Sequence, residues 1–512
     1  MDPVGSQRPR MGPPSGVRPL ETVTRIADAV AAGRARASDV FAEHLARHRE
    51  TGSALNALVQ PRHAAAAREA ARWDADRPPA RRDGLLAGVP VSVKECFPVR
   101  GLLTTLGIPS LRNSVDGGDA WLVERLREAG AIVVGKANVP QAMYLHETDN
   151  PVWGRTLHPG DPDRGPGGSS GGDAALVAAG VVPLAVGNDL AGSIRQPAHA
   201  CGIAGIVPCS GSLGDGGAFE TMPHLTAVRP RAGFLARQVA DLERALVAVG
   251  AVAGGPAAAG RRRPLRIGFW DDAGPLPTSA AIRRGVASGV SRLREAGAQV
   301  TRLDGTLAVE AAWVHLAILS ADGGADVRRL FAGTRPVPQV ALLLRLAAVP
   351  QSVRPWLSAM VRLVGRRIEA EGLLATGPRD PGAFGELLRL RSGIAARVAS
   401  LSADYDAVIC PVSAVPALRH GTAARLVVAA APCLLANLLD LPAGTVPVTR
   451  VRPEEETGRP WSWDPVIRAA AETDRGSGGL PVGIQVVGLN GGTGGEATVL
   501  EVMRLIERGG IE

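Results

Sequence analysis

The chain has 512 residues, 46 % hydrophobic and only 3 % aromatic, enough for one large domain or two around a core of Ala, Val and Leu. Lys+Arg number 57 against 49 Asp+Glu, a net charge of +8, yet the arginines are scattered and no basic block with interleaved aromatics occurs, which argues for solvated faces and against nucleic-acid partners. Cys96, Cys201, Cys209, Cys410 and Cys433 are odd in number and lack C-x-x-C or His pairing, which argues against a disulfide framework or a structural metal and for a reduced, cytoplasmic setting.

Residues 1–18 are Pro- and Arg-rich without an apolar stretch, and read as a disordered tail with no secretory signal. Residues 20–50 read as two amphipathic helices around Gly33, with Ser38-Asp39 capping the second. A strand over 86–93 delivers Lys94, a helix over 119–129 follows, and a strand over 131–134 leads to Lys136. Gly167, Gly168, Gly171 and Gly172 then flank Ser169 and Ser170, ahead of a short apolar helix (173–179) and a buried strand (181–186). The next break places Ser193 where a new helix begins. Beyond a small-residue and arginine connection at 254–264, strands over 265–270 and 299–303 flank a helix over 279–297. Residues 336–367 form an apolar, Arg-studded helical pair interrupted by prolines, read either as core packing or as a lid or membrane-surface cap. Strands over 405–411 and 480–487 and a helix over 496–507 complete the chain. The alternation predicts an α/β fold with a covered sheet, and the uncharged run 245–260 is too short and too rich in Gly and Pro to span a membrane.

Two features carry chemistry. The glycine run lets the backbone approach a ligand closely. A phosphate-binding loop would need Lys after its second glycine, whereas the run closes on Asp173. Gly168–Gly172 matches a G-x-S-x-G elbow, but residues 161–166 cannot form the apolar strand that an elbow requires; a flexible surface loop fits the composition. The second feature is that only two lysines, Lys94 and Lys136, occur among the 57 basic residues. A lysine kept where arginine serves everywhere else marks a place where deprotonation matters, because Arg cannot lose its proton. At the end of an apolar strand Lys94 could be a neutral base, or else a structural partner of Glu95. His199 lies six residues after Ser193 and would point away from it, and Lys136 reads as ordering the 135–140 turn.

Gly88-Val-Pro-Val-Ser-Val-Lys-Glu-Cys-Phe, Gly135-Lys-Ala-Asn-Val-Pro, Arg164-Gly-Pro-Gly-Gly-Ser-Ser-Gly-Gly and Gly192-Ser-Ile-Arg-Gln-Pro-Ala resemble the amidase signature family in order and spacing, with Ser193 placed 24 positions after Ser169. Lys94-Glu-Cys-Phe and Leu439-Asp-Leu-Pro-Ala-Gly-Thr-Val-Pro-Val-Thr are most similar to fatty acid amide hydrolases. The resemblance implies a large mixed, twisted β-sheet covered by α-helices on both faces, in one amidase domain over 19–512 with a signature core at about 86–215 and an apolar helical insertion at about 336–368. It implies hydrolysis of a carboxylic amide with no cofactor or metal. Ser193 is then the nucleophile, Ser169 a bridging serine on a cis peptide and Lys94 the base. The backbone N–H groups of Leu190, Ala191, Gly192 and Ser193 form the oxyanion hole, and Ser170, Asp189 and Arg195 support the loops. The implied partner is a small-molecule amide, with peripheral membrane contact and a homodimer both allowed. Asn188 and Ala191 depart from the Thr and Gly commonest at these positions, Val207 from Lys and Gln141 from Glu. Two rivals share the residues: the glutamine-hydrolysing component of a tRNA-dependent amidotransferase, and a catalytically silent binding protein.

Overall fold

The computed structural model describes residues 22–76, 84–253, 263–272, 274–490 and 495–511; the expected tail at 1–18 and most of the 254–264 connection lie outside the described residues. Eleven strands form one mixed sheet, in the spatial order Leu58–Pro61, Ile132–Ala137, Pro90–Lys94, Leu184–Asp189, Arg231–Ala236, Ala204–Val207, Ala443–Arg450, Pro481–Gly488, Ala407–Pro411, Arg266–Phe269 and Gln299–Arg302. The strand ending at Lys94 runs parallel to both neighbours, the middle of the sheet is antiparallel, and Arg266–Phe269 is again parallel to both neighbours. All residues of Pro90–Lys94, Leu184–Asp189 and Pro481–Gly488 are buried, as strands covered on both faces require. The Ala280–Glu295 helix shows how closely that cover fits: a Cβ on Gly289 would fall 2.3 Å from Ile484 Cδ1.

The elements stand where expected to within a few residues, with three kinds of difference. Ser38-Asp39 does not cap the second helix, which is Ala37–Arg47; the free N–H groups of Ala37 and Ser38 go instead to the Asp74 carboxylate (2.7 and 3.1 Å), supplied by a distant helix. Four strands of the sheet are passed over by sequence reading: the short edge strand Leu58–Pro61, and Ala204–Val207, Arg231–Ala236 and Ala443–Arg450, which are buried along almost their whole length and rich in Gly and Ala, so that they show neither alternation nor a run of large apolar residues. The 336–367 region divides into helices Pro338–Ala347 and Arg354–Leu363, of which the first is partly core: Leu344 is buried, whereas Trp356 is 64 % exposed.

The site is placed by the parallel part of the sheet. Val93 is in register with Val186 on adjacent parallel strands, so both chains leave the sheet at the same end, at Lys94 and at Asn188-Asp189. Open α/β sheets place ligands at the carboxyl ends of their strands.

Candidate active site

Lys94 is fully buried at the last position of its strand. Its Nζ lies 2.6 Å from Ser169 Oγ, 2.6 Å from Asn188 Oδ1 and 3.4 Å from the Asn188 main-chain oxygen. Removing an ammonium from water penalises its charged form, so burial lowers the Lys94 pKa from its ordinary value, while Cys96, Asp173 and Asp189 pull weakly the other way. Glu95 projects from the opposite face of the strand and accepts from Thr105 N and Oγ1 (both 2.6 Å) and from Leu106 N (2.8 Å). The Lys94–Glu95 ion pair is therefore absent. The other lysine is structural: Lys136 Nζ donates to Asp116 (2.8 Å), Thr104 Oγ1 and the Leu103 oxygen (both 2.7 Å), and so ties down the 103–116 segment rather than the 135–140 turn.

The glycine run is not a flexible surface loop. Residues 164–172 are all buried, and the Gly168–Ser169 peptide is cis. Gly167 has φ +85°, and a Cβ there would meet Gln196 Oε1 at 2.3 Å; one on Gly172 would meet Asn138 N at 2.5 Å. The glycines are there because other chain segments pass through the space a side chain would need.

Ser193 sits on a loop wound around one carboxylate. Asp189 accepts from the N–H groups of Gly192 (2.8 Å) and Ile194 (3.0 Å), from Asn437 Nδ2 (2.9 Å) and from Arg195 through Nη2 (2.9 Å) and Nε (3.1 Å). Both partners of this pair are fully buried; the guanidinium holds the Asp189 carboxyl far below the usual range despite the burial that opposes it, and Asp189 in turn raises Arg195. Arg195 also reaches Gln485 Oε1 and the Cys433 oxygen, which anchors the loop to the second half of the chain. Ser170 N donates to the Ser193 oxygen at 3.1 Å and Ser170 Oγ to the Asn188 oxygen at 3.4 Å, so the two serine loops are joined directly.

Of the four expected oxyanion donors, Gly192 N–H is already committed to Asp189, whereas those of Leu190, Ala191 and Ser193 have no acceptor among the described residues. The Ser193 hydroxyl likewise has no protein partner among them, and the residue is 7 % exposed. His199 is a core residue: its Nδ1 accepts from Gly483 N (3.0 Å), and its Nε2 lies 3.2 Å from the Val415 oxygen.

Sequence reading missed His146. Its Nε2 donates to the Ala191 oxygen at 3.1 Å, and burial pushes its pKa down to about 4, so the imidazole beside the Ser193 loop is neutral at ordinary pH. Its placement depends on the 138–148 turns, for which no local signal exists.

The amidase family model matches residues 39–500. The chain belongs to the amidase family. It is 32 % identical to fatty-acid amide hydrolase 1 of Sus scrofa over 83 % of this chain and 76 % of that one. To the glutamyl-tRNA(Gln) amidotransferase component from Nitratidesulfovibrio vulgaris it is 40 % identical, over 46 % of each chain. Among solved structures, a fatty acid amide hydrolase superposes with a TM-score of 0.78 at 20 % identity, over 96 % of this chain and 86 % of that one. As an amidase, the protein hydrolyses an amide C–N bond, and the sheet and its helical cover are those of the family's fold.

The Asp189–Arg195 pair yields a stability prediction. Arg195→Met is expected to cost about 3–5 kcal/mol in urea unfolding at pH 7, because it strands a buried carboxylate; a loss below about 1 kcal/mol would show that the pair does not hold the loop. Because the folded pKa of Asp189 is depressed, its contribution is present above the unfolded value near 3.9 and is lost as pH falls through the folded one.

Proposed function

We propose that Ser193, Ser169 and Lys94 perform the hydrolysis as one relay, on amides with an apolar acyl group. The observation that carries the relay is the 2.6 Å contact from a fully buried Lys94 Nζ to Ser169 Oγ, on a loop bonded to Ser193. Neutral Lys94 takes the Ser169 proton as Ser169 takes that of Ser193, and Ser193 Oγ bonds to the amide carbon. The oxygen's developing charge meets the unengaged N–H groups of Leu190, Ala191 and Ser193. The proton returns through Ser169 to the nitrogen as the C–N bond breaks, and water then cleaves the acyl ester by the same relay. Residues 19–512 act as one catalytic unit in this reading, supported by the continuous sheet and the match over 39–500. Labelling by a fluorophosphonate probe at Ser193, lost in Lys94→Ala, tests the relay; labelling at another residue refutes it, and a silent binding protein would not label.

The acyl preference rests on what surrounds the loop. The Ala191 methyl packs with Leu316 against Ala312, Ala431 and Leu434, and Leu190 and Leu225 pack against a cluster that includes Ile318. Ile318 and Leu225 also line a cavity of about 350 Å³ with Met222, Leu319 and Phe384, which His224, Asp322, Asp326 and Arg379 line as well. Each CH₂ buried there is worth about 0.8 kcal/mol, roughly a fourfold gain in kcat/KM per carbon. A flat profile from acetamide to oleamide would refute the apolar reading. The amidotransferase reading is less supported, because that similarity spans less than half of either chain.

Among the described residues no helix is long and apolar enough to cross a membrane. Leu342, Leu346, Trp356, Met360 and Leu363 are nonetheless each exposed, on two helices that also carry Arg345 and Arg362, and this supports a peripheral membrane contact. Trp356→Glu is expected to reduce co-sedimentation with anionic vesicles severalfold, with melting temperature and short-amide turnover unchanged. Leu344→Glu should instead lower the melting temperature, because that side chain is buried. Unchanged sedimentation in Trp356→Glu would refute the contact.

A further inference from the structure

One polar side chain in the Lys94 pocket has no part in the relay. Asn188 is 5 % exposed and presents both of its carbonyl oxygens to Nζ, at 2.6 Å and 3.4 Å, beside Ser169 Oγ at 2.6 Å. A neutral amine has two N–H bonds and one lone pair. Carbonyl oxygens only accept, whereas a serine hydroxyl can also donate. The three neighbours of Nζ therefore match a neutral amine in one arrangement, with the N–H bonds on Asn188 and the lone pair on the Ser169 hydroxyl. An amide in that position orients the amine without adding a charge, which a carboxylate of the same shape would do.

We propose that Asn188 is a positioning residue for the relay, its two carbonyl oxygens holding the N–H bonds of Lys94 so that the amine lone pair faces Ser169. The proposal rests on the Lys94–Ser169–Ser193 reading. The charged and titratable groups facing Lys94 from neighbouring elements are Cys96, Asp173, Asp189 and His146. Cys96 is pushed up to about 12 by burial, His146 down to about 4, and Asp189 stays ionised, bound to Arg195. Asp173 is the neighbour to separate. Burial raises its carboxyl to about 7, Ser92 Oγ donates to its Oδ1 at 2.8 Å, and its Oδ2 has no partner among the described residues.

The test is the second-order rate of fluorophosphonate labelling of Ser193 from pH 5 to 10, in wild type, Asn188→Asp, Asn188→Leu, Asp173→Asn and Lys94→Ala, with a melting curve for each. In labelling, the Ser193 O–P bond forms, fluoride leaves and the serine proton passes to Lys94. Labelling should rise along an acid limb as Lys94 loses its proton. A carboxylate beside the amine favours the ammonium, so Asn188→Asp should move that limb up by about 1–3 pH units and lower the rate at pH 7 about 10- to 1,000-fold, with recovery towards pH 10. Asn188→Leu removes an acceptor from the ammonium, so its limb should move down, while its plateau falls about 100-fold for want of orientation. A merely structural role would lower the plateau and leave the limb in place. Limbs unmoved in both Asn188 variants, or a limb moved only by Asp173→Asn, would overturn the proposal. If Asn188→Asp does not fold, the direction of the Asn188→Leu limb decides alone. A limb intact in Lys94→Ala would instead refute the relay itself.

Discussion

Ser193→Ala is expected to lower amide turnover by roughly 10⁴- to 10⁶-fold, the range seen when a serine nucleophile is removed from a relay that works as a unit. The expectation comes from position. The Ser193 hydroxyl is free of protein partners among the described residues, borders three unengaged N–H groups, and sits on a loop pinned by Asp189 and bonded to Ser170. A group held this firmly yet left unbonded is available to attack. The proposed relay puts the three residues on one proton path, so their effects should not add: Ser193→Ala combined with Lys94→Ala should be little worse than Ser193→Ala alone. The loop does not depend on the Ser193 hydroxyl for any bond, so the purified variant should melt near wild type. Near-parent kcat/KM in Ser193→Ala, or multiplicative losses in the double variant, would show that the nucleophile lies elsewhere.

Lys94→Arg is expected to be as damaging as Lys94→Ala, by roughly 10³-fold or more in kcat. Arg keeps the positive charge but stays protonated at any working pH, so it cannot receive the Ser169 proton. Its larger planar head also has no room at a site that is fully buried between Ser169 and Asn188. The same burial gives a stability prediction of known sign. Burial favours neutral Lys94, so the folded state binds fewer protons than the unfolded one between the lowered folded pKa and the ordinary unfolded value near 10.4, and stability rises with pH across that window. Lys94→Met, which removes the charge and its desolvation, should therefore melt at or above wild type at pH 7 while being inactive. Substantial activity in Lys94→Arg would mean that Lys94 works through charge alone, and a Lys94→Met variant that melts far below wild type would mean that its main role is structural.

Much of the site can be read from residue types. The scarcity of lysine singled out Lys94 and Lys136, because a side chain that has to lose a proton cannot be exchanged for arginine, and only the structure separates the two by pairing Lys136 with Asp116. The paired glycines around Ser169 and the order of the four motifs led to the family, and Asp189 and Arg195 lie where those motifs place support. The strands near Lys94, Ile132, Leu184, Arg266, Ala407 and Pro481 were legible as apolar runs bounded by breakers, because local pattern records them.

What the sequence determined by itself was therefore the family and the sheet-and-helix class, together with the three residues proposed for the relay, since each depends on side-chain chemistry or local pattern. Only the tertiary structure decided how those residues are used. The amide of Asn188 against Lys94, His146 against the Ala191 oxygen and the capping of the Ala37–Arg47 helix by Asp74 all join atoms from separate segments. The same holds for buried arginines such as Arg164, whose guanidinium collects the carbonyls of Ala417, Thr473 and Arg475 from more than 250 positions away. Such bonds form because a buried donor or acceptor must find a partner wherever the packed chain brings one, and that partner leaves no periodic or neighbouring trace in the sequence.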